Sequence, residues 1–311
     1  MKVVSLFSGC GGLDLGFIQA GHEIIWANDI DSDAVKTYRF NIGSHIIEGD
    51  LKDIPSSKIP YGDIVIGGFP CQGFSMANKY RVIDDERNSL YREFYRVIRD
   101  KQPRYFVAEN VRGILSLGKG EVIAQIVQDF ESAGYRVKYK LFNLADYGVP
   151  QIRQRVILLG VRSDIKEDVP FPVPEYSKTG EGNMKTWVTI GEALKDIPEP
   201  TEDCNIYNHV YSEYKVTNRN FTGHRLTDPN KPSPTILARG NGGGGVVVIQ
   251  HPNNHRRMSI RETAIIQTFP MDFVFNGSKT SCYRQVGNAV PPLFACLLAE
   301  NFNNEIGDES K

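Results

Sequence analysis

The chain has 311 residues, 41% of them hydrophobic and 23% charged, with a formal net charge of −1. This fits one large or two modest globular domains with a sizeable core, and excludes a wholly disordered or collagen-like chain. No run approaches the roughly 18–20 apolar residues of a membrane span, and MKVVSLFSGCGG lacks the charged start and long apolar stretch of a secretory leader.

Residues 2–7 (KVVSLF) read as a buried strand that runs into the turn SGCGG and a short helix, LDLGFIQAG, stopped by Gly21. The alternation repeats: EIIWAND (23–29) is strand-like, SDAVKTYRF helical, a third strand precedes Asp50, and DIVIGG (63–68) is again strand-like. NSLYREFYRVIRD (88–100) reads as a helix, RYFVAEN (104–110) as a strand, EVIAQIVQDFESAG as a helix ended by Gly134, and RVILLGV (155–161) as a further strand. Strands separated by helices predict parallel βαβ units in a three-layer α/β sandwich. After about residue 164 the pattern stops. DVPFPVPEY is an extended Pro-rich stretch, and 177–255 is rich in Asn, Gly, Pro and Thr, with NGGGG at 241–245. MSIRETAIIQTF (258–269) and PPLFACLLAENF (291–302) read as helices. Two segments, 101–163 and 207–262, carry an excess of Lys and Arg, while 164–206 is acidic. The basic segments are either solvated faces or a footprint for a polyanion.

The turn after the first strand has the glycines of a ligand loop but fails the dinucleotide pattern GxGxxG, because Asp14 replaces the third glycine and disfavours a pyrophosphate. Asp29, 20 residues after Gly9, suits a ribose-hydroxyl acceptor, and Asp50 suits an adenine amino group. An adenosine ligand without phosphates fits better than a dinucleotide. The plain alternative is a tight turn with solvated carboxylates.

Five cysteines stand at 10, 71, 204, 282 and 296 with no CxxC pair, a poor framework for disulfides or zinc, so a reducing cytoplasmic setting is expected. Cys71 differs from the rest. It lies in GGFPCQGFS (67–75), after a strand, where flanking backbone N–H groups favour a thiolate, although an isolated cysteine is as often an inert core residue. Glu109 in AENV would offer a carboxylic acid at the same sheet edge. Arg153 and Arg155 in QIRQR alternate onto one face, either to bind carboxylate or phosphate or as a solvated edge. His251 and His255 flank Pro-Asn-Asn, which argues against a helical metal pair, and no metal is expected.

In order and spacing these motifs resemble the C5-cytosine-specific DNA methyltransferases of bacterial restriction–modification systems. LFSGCGGLDLGF is similar to the S-adenosylmethionine motif of that family, GGFPCQGFS to its catalytic motif, AENV to its glutamate motif and QIRQR to its QxRxR motif. RRMSIRETAIIQTFP (256–270) resembles the helix supporting the recognition region, and QVGNAVPP (285–292) the closing cofactor motif. The resemblance implies a Rossmann-like methyltransferase sheet domain, 1–171 plus 271–311, with a smaller irregular target-recognition domain over 172–270. It implies that Phe7 stacks near adenine, that Ser8, Gly9, Cys10, Gly11, Gly12 and Leu13 line the methionine part, and that Asp29 takes the ribose hydroxyls. The family usually has Glu there, so Asp29 reaches one methylene less. Ile30, Asp50, Leu51, Pro70 and Leu90 would complete the adenosine site, with Asn288, Ala289 and Val290 as its far wall.

The catalytic set implied is Cys71, Glu109, Arg153 and Arg155, with Arg153 orienting the carboxylate. Duplex DNA is the implied partner, met by Lys79, Arg81, Arg219, Arg225, Thr235 and Arg239, with Thr235-Ile236 near a flipped nucleotide. A monomer is expected, with a cognate restriction endonuclease as its functional companion. Three alternatives are weighed: a tRNA cytosine-5 methyltransferase sharing the PCQ and ENV motifs, a NAD-dependent oxidoreductase and a non-catalytic DNA-binding module. The last two leave the co-occurrence of Cys71, Glu109 and Arg153 without a reason.

Overall fold

The computed structural model describes residues 1–69, 89–201, 204–210, 226–238, 249–253 and 256–303. The alternation read in the sequence is realised as β1 (Lys2–Leu6), α1 (Gly12–Gln19), β2 (Glu23–Asp29), α2 (Ser32–Asn41), β3 (Ile46–Glu48), β4 (Ile64–Gly67), α3 (Ser89–Lys101), β5 (Tyr105–Val111) and α4 (Glu121–Ser132). These are followed by β6 (Tyr135–Asn143), β7 (Gln151–Ile152) and β8 (Gln154–Arg162). Seven strands form one sheet in the order β3-β2-β1-β4-β5-β8-β6, the arrangement of Rossmann-like methyltransferase sheets.

The sheet is not wholly parallel. β8 runs antiparallel to both β5 and β6, with Glu109 opposite Ile157 and Tyr139 opposite Leu158. The reason is the connection: only the segment 144–153 separates β6 from β8, too little for a helical crossover, so the chain doubles back and inserts β8 beside β5. β6 itself, absent from the sequence reading, is the edge strand. Its charges (Arg136, Lys138 and Lys140) line that edge, where they oppose edge-to-edge pairing.

Two clusters fill the faces of the sheet. One joins Phe17 of α1 and Val35 of α2 to Phe294 and Leu298 of the C-terminal helix; the other packs Phe94 of α3 and Ile126 and Phe130 of α4 against Val4, Val65 and Phe106. Close approach of α1 to the C-terminal helix needs Gly16, where a Cβ would lie 2.3 Å from the Ala295 Cβ.

Beyond β8 come α5 (Ile190–Leu194), α6 (Ile260–Ile266), α7 (Lys279–Asn288) and α8 (Pro292–Glu300). Capping boxes at Thr189–Glu192 and Ser259–Glu262 start α5 and α6. These helices form a third cluster: Ile190, Ile236, Met258, Ile266, Phe269, Phe273 and Val286, with Cys10 reaching in from the first loop. A buried carboxylate, Glu262, accepts both Arg256 Nη atoms at 2.9 and 2.7 Å and braces this unit. Among the described residues no helix is long and apolar enough to cross a membrane.

Candidate active site

The parallel strands end along one edge, and the loops leaving β1, β2, β4 and β5 converge there. After β1 the chain turns sharply through Phe7 (φ 55°), Gly9 (φ 55°) and Gly11 (φ 90°) into α1. Gly11 cannot be replaced without collision, since a Cβ would sit 2.3 Å from the Ile42 side chain. The Gly9 N–H donates to Asp29 Oδ2 at 2.7 Å, and the Asp31 N–H donates to Oδ1 at 2.8 Å. Burial raises the Asp29 carboxyl above its usual range, opposed by these backbone donors. With the Ile30 N–H as a third backbone donor, the carboxylate still has more acceptor positions than donors, so Asp29 both holds the glycine loop and retains acceptor capacity. Beside it Ile30 is 68% exposed, an isoleucine side chain left bare at the sheet edge.

Asn28 is a residue the sequence reading missed. Its buried amide donates to the Ile47 and Gly49 carbonyls at 3.1 and 3.0 Å, fixing the segment that leads to Asp50. Asp50 caps a short turn, accepting from the Lys52 N–H at 3.0 Å, and pairs with Lys52 Nζ at 3.2 Å. Three of the expected cofactor residues have their side chains buried in the core. The Leu51 side chain is buried in the α3–α4 cluster, Leu13 packs under α1 in the opposite cluster, and Cys10 is 2% exposed among residues of α6 and α7. Burial pushes the Cys10 thiol far up, with Asp29 adding in the same direction.

Asp14 also points inward rather than at a ligand. It is fully buried, accepting from Ser5 Oγ and from the Tyr38 hydroxyl, each at 2.8 Å. Burial pushes its carboxyl up to about 6 despite these two donors. Its charge therefore does not face the loop and, contrary to the expectation from the sequence, does not oppose a pyrophosphate there. Gly12 abuts Ala289 and Val290, where a Cβ would lie 2.4 Å from the Val290 carbonyl oxygen, and Asn288 is exposed beside them. Leu90, on the first turn of α3, is partly buried against the second cluster.

At the end of β5 Glu109 Oε1 meets Arg155 Nε at 2.6 Å, the two side chains 12% and 13% exposed. The other oxygen, Oε2, hangs over Gly68: a Cβ built there would lie 3.0 Å from it. Asn110, buried next to Glu109, donates to the Phe69 carbonyl at 2.8 Å. The pinned Phe69 backbone directly precedes Pro70-Cys71 in the chain, and the carboxylate lies over Gly68.

The two arginines divide their work differently from the expectation. Arg155, not Arg153, holds Glu109. Arg153 is fully buried and donates Nη1 to the Ile236 carbonyl at 3.0 Å and Nη2 to the carbonyls of Gly287 and Ala289 at 2.9 and 3.0 Å. Burial lowers its affinity for the proton well below the usual guanidinium range, the Arg155 charge adding to this and Glu109 opposing it. The short β7, just ahead of Arg153 in the chain, pairs with Ser233–Pro234, and the Thr235 hydroxyl donates to the Ile152 carbonyl at 2.6 Å. Thr235 is thereby brought beside the β7–β8 segment, where Arg153 joins the two strands and Arg155 opens β8. Pro70, Cys71, Lys79, Arg81, Arg219, Arg225, Arg239 and His255 lie outside the described residues.

Comparison with known proteins places this geometry. The family model for the C-5 cytosine-specific DNA methylases matches residues 1–304. The type II methyltransferase M.NgoFVII of Neisseria gonorrhoeae is 41% identical over 96% of this chain and 86% of its own length, and M.FnuDI of Fusobacterium nucleatum is 37% identical over 100% and 96%. Among solved structures, a prophage-encoded E. coli chain described as a DNA modification methyltransferase superposes with a TM-score of 0.77 at 26% identity, covering 99% of this chain and 100% of that one. The Dnmt2 methyltransferase of S. pombe, at 18% identity and a TM-score of 0.69 over 99% of each chain, shares the fold. The chain belongs to the C-5 cytosine-specific DNA methylases, enzymes on an S-adenosylmethionine-dependent methyltransferase fold.

Proposed function

We propose that the protein methylates carbon 5 of a cytosine turned out of one short duplex DNA sequence, with Cys71 as nucleophile and Glu109 as the group that manages charge on the ring. The observation that carries this reading is the Glu109–Arg155 pair poised above Gly68, on the strand end next to the Cys71 loop. Carbon 5 of cytosine is a poor nucleophile. Addition of the Cys71 thiolate to carbon 6 makes the ring an enamine whose carbon 5 is nucleophilic. Glu109 hydrogen-bonds ring nitrogen 3 and the exocyclic amine as charge develops, and Arg155 fixes its orientation. After carbon 5 has taken the methyl group, loss of its proton and departure of the thiolate from carbon 6 restore the aromatic ring. The base must leave the helix first, at a cost of a few kcal/mol.

The residues at the first loop suit S-adenosylmethionine. Asp29 retains acceptor capacity for hydroxyls, Ile30 offers a bare apolar side chain for an adenine face, and Gly9 to Gly12 bring backbone close without side chains. When bound, S-adenosylmethionine supplies the methyl group from its sulfonium. Phe7, Ser8, Asp50 and Asn288 to Val290 would enclose it. Lys79, Arg81, Arg219, Arg225, Thr235 and Arg239 are the proposed contacts to DNA. A monomer acting in the cytoplasm alongside a cognate endonuclease fits a type II system, the class to which the matching relatives belong.

The test is to incubate the purified protein with S-adenosylmethionine and an unmethylated genomic library, and to map 5-methylcytosine by bisulfite sequencing, with a tRNA reaction in parallel. Methylation confined to one short DNA motif is expected. Methylated tRNA with unmodified DNA would overturn the reading.

A further inference from the structure

The loop 235–238 and the C-terminal end of α7 press against each other so closely that a Cβ on Gly287 would lie 2.5 Å from both the Ala238 nitrogen and the Leu237 carbonyl carbon. Two buried bridges cross this seam. In the first, the Arg153 fork takes the Ile236 carbonyl with one nitrogen and the Gly287 and Ala289 carbonyls with the other. In the second, Gln151 Oε1 accepts from the Ile236 N–H at 2.9 Å and Gln151 Nε2 donates to Gln267 Oε1 at 2.6 Å. Gln267 Nε2 then donates to the Val286 and Ala289 carbonyls at 2.6 and 3.2 Å. All three side chains are fully buried.

We propose that Gln151, Arg153 and Gln267 form a positioning element that fixes Thr235-Ile236 relative to the Ala289-Val290 wall, so that occupancy of one site sets the affinity of the other. This rests on the reading above, in which Val290 faces the methyl donor and Thr235 the DNA strand. The planar guanidinium offers rigid, divergent donors, so a shift of Gly287 or Ala289 drags the Ile236 carbonyl with it or strands buried polar groups. The Gln151–Gln267 chain repeats the constraint from the N–H side of the same residue, so Ile236 moves only together with the Val286–Ala289 segment. A ligand that orders residues 288–290 therefore orders 235–236 in advance, and the second ligand meets a segment already in place.

The experiment measures the affinity of S-adenosylhomocysteine for the full chain by calorimetry, alone and with saturating duplex carrying the motif found by bisulfite mapping. In wild type the duplex should tighten binding at least about fivefold. Gln267→Met, which cuts the bonds to Gln151, Val286 and Ala289, should bind S-adenosylhomocysteine alone within about threefold of wild type. With duplex its gain should fall below about twofold. If that variant does not fold by thermal melting, Gln151→Met severs the same chain on its Ile236 side and carries the same expectation. Wild-type coupling that survives in the folded variant, or no coupling in an active wild type, overturns the inference and leaves the methylation reading intact. Failure of wild type to bind S-adenosylhomocysteine would overturn the reading itself and the inference with it.

Discussion

Two adjacent glycines at the end of β4 separate packing from catalysis. At Gly67 an added methyl would meet backbone, 2.6 Å from the Leu6 carbonyl oxygen, with the Phe94 ring at 3.1 Å. Neither can yield cheaply, so Gly67→Ala should destabilise by about 1–3 kcal/mol through overpacking. At Gly68 the methyl would crowd Glu109 Oε2 at 3.0 Å, with the Glu109 backbone oxygen at an ordinary 3.7 Å, and neither glycine has a positive φ that would strain alanine. An ordinary contact requires the carboxylate to retreat by roughly 0.4 Å. Its other oxygen is paired with Arg155 at 2.6 Å, so Glu109 pivots and Oε2 leaves the position proposed to receive the cytosine ring. If 1 Å of misplacement costs on the order of a hundredfold, this shift should lower kcat roughly five- to tenfold. The assay is transfer of labelled methyl to duplex DNA at saturating S-adenosylmethionine, with a thermal melt alongside. Gly68→Ala should melt with wild type and turn over slowly. Wild-type turnover, or a loss of stability matching Gly67→Ala, would refute the placement of Glu109.

Three further changes address separate parts of the structure. Gly12→Ala, whose methyl would stand 2.4 Å from the Val290 carbonyl oxygen, should weaken S-adenosylhomocysteine binding by about tenfold or more in calorimetry, because the wall must move about 1 Å. Ile30→Ser, at a side chain 68% exposed, should leave the melting temperature unchanged while weakening the same ligand by about tenfold, the loss of one apolar contact. Asp14, raised to about 6 in the fold from 3.8, holds its proton more tightly folded than unfolded. Its contribution is thus complete below pH 4 and lost as pH rises through 6. Denaturant titrations should show the stability of wild type relative to Asp14→Asn falling by on the order of 3 kcal/mol between pH 4 and 6.5; a constant difference would mean that Asp14 is not the buried acid described.

The strands and helices from β1 to α4 are legible because each carries its own period, and Ser259 with Glu262 marks the start of α6 locally. Strand direction is not local. Nothing in RVILLGV says that it runs against its neighbours, and YRVKYKLFN hides a strand because an edge exposes both faces and tolerates charge. The site followed the same division. The motifs locate Glu109, Asp29 and the glycine loop, since these depend on strand ends. The inward turn of Asp14, the burial of Cys10 and the role of Arg153 depend on partners as far as 275 residues away in the chain, which no spacing discloses. QxRxR placed two arginines on one face, with Arg153 expected to orient the carboxylate; burial made Arg153 a structural clamp and left Arg155 at the carboxylate.

The central claim is the covalent route through Cys71, and trapping tests it most directly. A duplex carrying the methylated motif with 5-fluorocytosine at the target position cannot lose the group at carbon 5, so the thiolate adduct cannot collapse after methyl transfer. With S-adenosylmethionine, wild type should form a complex that survives denaturing electrophoresis, and mass spectrometry should place the link on Cys71. Cys71→Ser should form none. No such complex in wild type that methylates the ordinary duplex, or a link to another residue, would contradict the account.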